Sequence, residues 1–169
     1  MKEKIKNLDE IAEILSLKKS QGKRIVLCHG VFDLLHIGHI KHFKEAKNMG
    51  DILVVSITPD QFVNKGPGRP AFNTSLRLEA LSALESIDFV FANKWQTAQE
   101  TIKIIQPNIY CKGPDYKDHS SDLTGKITDE EAAIKFVGGK IMYTDDITFS
   151  PSSLLNKYGD LHSQQHEAF

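Results

Sequence analysis

Two histidines, His36 and His39, stand on either side of Gly38 in the stretch HGVFDLLHIGH. They follow a short apolar run and flank the expected start of a helix near Ile37. A helix N-terminus carries unpaired N–H groups and the positive end of the helix dipole, and imidazole rings add further N–H donors. The missing side chain at Gly38 lets an anion approach both the backbone and the rings. We therefore predict that this stretch binds the phosphates of a polyphosphate.

A metal site is the alternative for the same two histidines, because side chains three residues apart share one face of a helix. Zinc would require a further ligand, and Asp33 is near in sequence; we expect Asp33 instead to accept backbone N–H bonds in its own turn. Cys28 and Cys111 both lie in strand-like runs. Two cysteines make no metal framework, so we expect buried, reduced thiols and no metal ligands.

A loop rich in glycine and proline, NKGPGRPAFN at 64–73, holds two further basic residues, Lys65 and Arg69. Its composition excludes regular structure, and we expect a lid that orders when a ligand binds. Arg77 follows in the first turn of the next predicted helix, where a positive charge opposes the helix dipole. Such a position calls for an anion, and we predict a substrate phosphate there.

Short apolar runs alternate with helical patterns along the chain. The predicted strands are 24–28, 51–58, 88–93, 109–113 and 140–144. The predicted helices are 7–20, 39–50, 74–84 with Thr74 or Ser75 as its cap, 97–106, 128–138 with a capping box of Thr128 and Glu131, and 150–158. Strands that are apolar on both faces and alternate with helices indicate an α/β fold with a doubly wound, parallel, five-stranded sheet. In such a fold the first turn lies at the carboxyl edge of the sheet, where ligands bind.

Composition limits the classes of function. The chain has 169 residues, 40% of them hydrophobic and 25% charged, and a formal net charge of −1. The composition predicts a single hydrophobic core, and the small net charge predicts no general electrostatic attraction to nucleic acid or acidic lipid. No apolar run approaches the ~18 residues of a membrane span, and the first residues lack a signal-peptide pattern, so a cytoplasmic protein without membrane or nucleic-acid partners is expected.

The stretch GVFDLLHIGH resembles the GxFDxxHxGH signature of the cytidylyltransferase-like nucleotidyltransferases. The segments AKNMGDILVVSITPD, KGPGRPAFNTSLRLEALSALESIDFV, CKGPDY and FSPSSLLNK resemble further segments of that family in the same order. The resemblance runs from about Arg24 to Tyr158. The bacterial heptose-phosphate adenylyltransferases are the most similar branch, on the pair Arg69–Pro70 and on KGPDY; glycerol-3-phosphate cytidylyltransferases come second. Two departures are His29, where the heptose enzymes commonly carry asparagine, and Pro151, which replaces a hydroxyl residue.

The resemblance implies roles for residues along the chain. It implies that His36, His39 and Lys65 are catalytic, and that His29, Arg69 and Arg77 bind the acceptor. The nucleotide-binding residues that it implies are Gly30, Val31, Phe32, Gly38, Lys112, Gly113, Asp115, Ser150, Ser152 and Ser153. It also implies a Rossmann-like nucleotidyltransferase domain at 23–158, after an N-terminal helix at 1–22 and before a tail or linker stump at 159–169.

The expected reaction moves a nucleoside monophosphate from ATP or CTP to a sugar phosphate and releases pyrophosphate. The expected cofactor is Mg²⁺, held mainly by phosphate oxygens and water. A homodimer and a fused or coupled sugar kinase are the expected partners, and the product would serve cell-surface glycan synthesis. Two alternatives stay open: a glycerol-3-phosphate cytidylyltransferase, and a nucleotide-binding regulatory domain without catalysis.

Overall fold

The computed structural model describes residues 2–114 and 126–145, and these form a parallel sheet covered by helices on both faces. The strands are β1 (Ile25–Gly30), β2 (Ile52–Ile57), β3 (Phe89–Ala92), β4 (Ile109–Lys112) and β5 (Lys140–Tyr143). Their order is β3-β2-β1-β4-β5, and every neighbouring pair is parallel. The predicted α/β fold with its five-stranded, doubly wound, parallel sheet is confirmed.

Five helices are described: α1 (Leu8–Ser20), α2 (Ile37–Lys47), α3 (Thr74–Ser82), α4 (Gln99–Ile105) and α5 (Lys126–Phe136). Short 3₁₀ turns cover Lys2–Lys4 and Asp60–Phe62. The helix predicted at 150–158 and the tail after it lie outside the described residues. Among the residues described, none of the helices has the length and apolarity needed to cross a bilayer.

Each face of the sheet has its own apolar core, because successive strand residues point to opposite faces. In β1, Ile25 and Leu27 pack with α1, α4 and α5, whereas Val26 and Cys28 pack on the side of α2 and α3. All four side chains are fully buried. Both cysteines of the chain are buried free thiols, as predicted.

Two helix starts differ from the sequence prediction. Asn73 caps α3, since its side-chain oxygen accepts the N–H of Leu76 at 2.9 Å; Thr74 is already the first helical residue. Asparagine is among the strongest N-caps, and this one precedes the predicted candidates by one residue. Helix α5 begins at Lys126, so Thr128 lies inside it and the predicted capping box is wrong.

The outer edge of β3 is covered by the N-terminal segment. Ile5 forms a parallel bridge with Val90, and the backbone N–H of Lys6 donates to the carbonyl oxygen of Val90 at 3.0 Å. The following helix, α1, then buries Leu8, Ile11 and Leu15 in the core of its face. The N-terminal residues therefore both extend the sheet edge and complete one core.

Candidate active site

The two motif histidines form a reciprocal cap at the start of α2. His36 is the N-cap residue, and its Nδ1 accepts the backbone N–H of Gly38 at 3.1 Å. The backbone N–H of His36 donates in turn to Nδ1 of His39 at 3.3 Å. The two ring centroids are 4.1 Å apart. The predicted start of the helix near Ile37 is confirmed, and the spacing HxGH brings the two rings together.

This cap fixes the tautomer of both rings. A backbone N–H can only donate, so each Nδ1 must carry a lone pair, and the proton of each neutral ring then resides on Nε2. Two of the free N–H groups expected at this helix start are therefore used by the histidines. In exchange, each ring has its Nε2–H donor available, and the binding of an anion by this pair stays a prediction.

Both rings resist protonation. Burial lowers the pKa of His36. For His39, burial together with the positive fields of His36, His42 and Lys65 lowers the pKa to about 4. The histidines are therefore neutral donors near pH 7. The positive charge of Lys65 contributes to the lowered pKa of His39, and the predicted catalytic role of Lys65 stays a prediction.

Phe32, rather than Gly30, has the left-handed backbone conformation in this turn, with φ of 49°. A Cβ at Gly30 would lie 2.9 Å from Cζ of Phe32, so the close approach that requires glycine is made by this phenyl ring. The ring of Phe32 also meets that of His39 edge to face at a centroid distance of 5.8 Å. Gly30 and Phe32 thus support the position of His39, and their predicted contact with nucleotide stays a prediction.

Asp33 is a structural residue, as expected, but its partners are in the loop 64–73 and not in its own turn. Its carboxylate accepts the N–H of Ala71 at 2.6 Å and that of Phe72 at 2.8 Å, and it also accepts Nε of Arg69 at 3.0 Å. Burial raises the pKa of Asp33, but these donors outweigh it and lower the pKa overall. The end of the loop at 69–72 is therefore anchored to the histidine turn, whereas residues 64–68 are exposed.

Arg77 is buried, with 1% of its surface exposed, and its guanidinium donates to protein acceptors. Nε donates to the carbonyl of Phe72, Nη1 to those of Val31 and Thr58, and Nη2 to the carboxylate of Asp60, at 2.8–2.9 Å. The anion expected beside Arg77 is thus the carboxylate of Asp60. This corrects the predicted phosphate contact: the guanidinium is enclosed by protein acceptors from the loops around it.

His29 lies at the end of β1 beside Ser56 of β2. Its Nδ1 is 2.7 Å from the hydroxyl of Ser56, and its Nε2 is 3.4 Å from that of Thr58. These contacts orient a half-buried ring at the carboxyl edge. A role in binding the acceptor stays a prediction.

Lys112 at the end of β4 points into a buried polar group that the sequence did not predict. Its Nζ lies 3.4 Å from the carbonyl oxygen of His29 and 3.9 Å from the carboxylate of Glu130. Glu130 also accepts the hydroxyl of Tyr110 at 2.7 Å. No local pattern marks Glu130, because it lies on α5 whereas its partners Tyr110 and Lys112 lie on β4. Gly113 lies next to Lys112 in open space, whereas Asp115, Ser150, Ser152 and Ser153 lie outside the described residues.

The structure places the HxGH cap at the carboxyl edge of a parallel α/β sheet, in agreement with the family that the sequence resembles. The chain belongs to the cytidylyltransferase-like family, whose model matches residues 27–154. The family that the signature resembles is thereby confirmed.

Curated relatives match this chain over only part of their own length. The chain is 40% identical over 139 residues to the bifunctional protein HldE of Aliarcobacter butzleri, which covers 80% of this chain and 29% of that protein. It is 38% identical over 161 residues to the bifunctional protein HldE of Sulfurimonas denitrificans, covering 94% of this chain and 32% of that protein. The chain thus spans about a third of the length of these relatives.

Solved structures agree on the fold. A lipopolysaccharide core biosynthesis protein from Thermoplasma volcanium is 29% identical, with a TM-score of 0.62 over 75% of this chain and all of that chain. A pantoate-beta-alanine ligase from Francisella tularensis is 19% identical, with a TM-score of 0.57 over 88% of this chain and 68% of that chain. The second likeness concerns the fold alone.

The lowered pKa of His39 predicts a pH-dependent stability. The unfolded chain binds a proton at this residue below its ordinary pKa of about 6.5, but the folded protein does not until about pH 4. Stability therefore falls as the pH decreases through this window, by on the order of 1–2 kcal/mol for this residue once solvent screening of a partly exposed ring is allowed for. Urea unfolding of the wild type and of His39→Gln from about pH 7 to pH 4.5 measures it. Equal losses in both proteins would contradict the lowered pKa.

The enclosed guanidinium of Arg77 predicts a large loss on substitution. Arg77→Lys cannot reach all of the same acceptors and leaves Asp60 and buried carbonyls unpaired, so we expect a loss of about 3–5 kcal/mol in unfolding free energy. Arg69→Lys is the matched control, because its ion pair is partly exposed and its loss is expected to stay within about 1 kcal/mol. Urea unfolding measures both variants. If Arg77→Lys were as stable as the wild type but bound substrate more weakly, the predicted contact between Arg77 and a substrate phosphate would be supported instead.

Proposed function

We propose that this protein transfers a nucleoside monophosphate from ATP or CTP to a sugar phosphate and releases pyrophosphate. The observation that carries the proposal is the pair of neutral rings at the start of α2, each with its proton directed to Nε2 by a backbone N–H on Nδ1. Such a pair is suited to a group that gains negative charge during the reaction.

The chemistry requires no general base. The acceptor phosphate is already an anion near neutral pH, so one of its oxygens attacks the α-phosphorus directly. A new oxygen–phosphorus bond forms as the bond between the α-phosphorus and the bridging oxygen breaks, and pyrophosphate leaves with that electron pair. The barrier arises from the repulsion between two anions that must be brought together in the correct geometry. Positioning of the substrates and fixed hydrogen-bond donors lower this barrier.

His36 and His39 are the donors to the reacting phosphates. Because both rings are neutral and already held, they do not reorganise as charge develops. Lys65 adds a positive charge from the loop, close enough to lower the pKa of His39. We assign these three residues the catalytic roles that the sequence predicted for them.

The loop 64–73 acts as a lid with one fixed end. Asp33 holds the backbone of Ala71 and Phe72, so closure involves the exposed residues 64–68 that carry Lys65. Arg69 lies at the boundary, with Nε on Asp33. From there its guanidinium is our proposed contact for the acceptor phosphate or a sugar hydroxyl.

Mg²⁺ is part of this proposal as the ion that neutralises the triphosphate. Within the described part of the chain, the two carboxylates next to the histidine turn and the lid, Asp33 and Asp60, already accept several hydrogen bonds. The residues fit an ion held by phosphate oxygens and water rather than by side chains.

A heptose phosphate is our proposed acceptor. The pair Arg69–Pro70 and the segment KGPDY support it by resemblance. The name of the Thermoplasma volcanium protein, a lipopolysaccharide core biosynthesis protein, agrees with a surface-glycan precursor. The word bifunctional in the names of the relatives agrees with coupling to a second activity, for which we propose a sugar kinase. A homodimer in the cytoplasm stays part of the proposal.

A paired assay tests substrate choice. Heptose 1-phosphate and glycerol 3-phosphate are each supplied with ATP and with CTP, and pyrophosphate release is measured. We expect heptose 1-phosphate with ATP to give the highest kcat/KM, since a site that bonds several hydroxyls rejects a smaller polyol. If glycerol 3-phosphate with CTP gave the highest kcat/KM, the chain would instead be a glycerol-3-phosphate cytidylyltransferase. Binding of nucleotide without any pyrophosphate release would favour the regulatory alternative.

Two variants of His39 test the donor role. His39→Ala removes the Nε2–H group, and we expect kcat to fall by a factor of ~10²–10³ while nucleotide affinity falls less. His39→Gln can place an amide N–H in a similar position, so we expect an intermediate rate. Lys44→Ala, an exposed residue on the same helix, serves as the control. A His39→Ala enzyme as fast as this control would remove His39 from the mechanism.

A further inference from the structure

We propose that Cys28, His42 and Cys111 form a binding site for a thiophilic metal ion, with zinc as the reference ion. One ligand atom from each of these residues lies within 4.8 Å of the other two. The residues come from β1, α2 and β4, so the group exists only in the folded chain. This revises the expectation that two cysteines make no metal framework, because the third ligand comes from the helix of the HxGH motif.

The positions of the two thiols follow from the sheet register. Val26 pairs with Ile109 and Leu27 with Tyr110 across β1 and β4, so the next residue on each parallel strand is a cysteine. Both thiols point to the face covered by α2. His42 lies one helical turn after His39 and is buried beside Phe43, which faces this same core.

The geometry is close to that of a tetrahedral ion. Zn–S bonds of about 2.3 Å and Zn–N bonds of about 2.0 Å place ligand atoms roughly 3.5–3.8 Å apart. A group with all separations within 4.8 Å therefore reaches this arrangement by side-chain adjustments of about 1 Å. Cys₂His supplies three of four positions, and water or another ligand would take the fourth.

A hydrogen bond with a buried hydroxyl orients the ring of His42, as is common for histidines that bind metal ions. The Oγ1 of Thr144 lies 2.8 Å from Nδ1 of His42, and Thr144 is fully buried. The backbone N–H of Thr144 donates to the carbonyl of Lys112, the residue after Cys111. Metal-binding histidines usually hydrogen-bond through the second ring nitrogen, which assigns the ligand role to Nε2 of His42.

The charge of a divalent ion is balanced by this ligand set, and the ion must displace the protons of buried thiols, since burial raises the pKa of Cys28. Each thiol loses its proton on binding, and the two thiolates neutralise the two positive charges of the ion, while the imidazole stays neutral. The filled site has no net charge, so its burial avoids the penalty of an isolated ion. Sulfur and imidazole ligands select zinc or another thiophilic metal over Mg²⁺.

Cobalt(II) is the probe for this site, because it takes the place of zinc in thiolate sites and is coloured there. We expect the reduced, metal-free wild type to bind one equivalent of Co²⁺ with the strong visible bands of a tetrahedral thiolate site, and Zn²⁺ to displace it. Zn²⁺ should also raise Tm by mass action. Absence of the tetrahedral bands in the folded, reduced wild type would overturn the proposal, independently of any transferase activity.

Three variants locate the ion. His42→Ala should lose the tetrahedral bands, and Thr144→Val should weaken Co²⁺ binding by about 10- to 100-fold. His29→Ala is the matched control, since His29 also has a hydroxyl partner and is the neighbour of Cys28 in β1; its spectrum should equal that of the wild type. Tetrahedral bands that survive in His42→Ala, or that vanish in a folded His29→Ala, would refute this ligand set.

Discussion

The buried guanidinium of Arg77 is the constraint on which the carboxyl edge of the sheet depends. A charge removed from water must be paired and hydrogen-bonded, or it destabilises the fold by several kcal/mol. Arg77 meets this requirement with acceptors from the turn after β1, the end of β2, the lid and Asp60. These segments must therefore converge, and the turn that carries the histidines is held against the loop 64–73 that carries Lys65. Asp33 makes a second connection between the same two segments.

The histidine cap uses one set of hydrogen bonds both to begin a helix and to orient two ring donors. The bonds that begin α2 also determine which ring nitrogen carries the proton. A cap by aspartate would begin a helix equally well, but an ionised carboxylate only accepts hydrogen bonds and would present no donor. The low pKa of His39 follows from the same burial. A neutral ring held in one orientation can donate a hydrogen bond to a developing negative charge without first changing its protonation state.

The sequence predicts local features of this protein well and distant ones poorly. The apolar runs 24–28 and 51–58 predict buried strands, and the structure has strands at Ile25–Gly30 and Ile52–Ile57. The HxGH spacing predicts a helix start flanked by the two histidines, which the structure also has. The partners of Asp33 lie 38 and 39 positions away, and those of Arg77 up to 46 positions away. No local pattern tells whether a charged residue faces a ligand or another loop. From the sequence alone, Arg77 is therefore predicted to bind a phosphate, although in the structure its guanidinium donates to the carbonyl of Phe72 and to the carboxylate of Asp60.

The N-terminal segment beside β3 has a consequence for association between molecules. A strand at the end of a sheet presents backbone groups that another chain can pair with, and this is a common route to aggregation. Here Ile5 and Lys6 pair with the middle of a strand only four residues long. Lys4 also donates to the carbonyl of Leu84, which holds the segment against the turn before β3. On this side of the sheet, Ile5 and Lys6 therefore occupy backbone positions of β3 that a strand from another molecule would otherwise pair with.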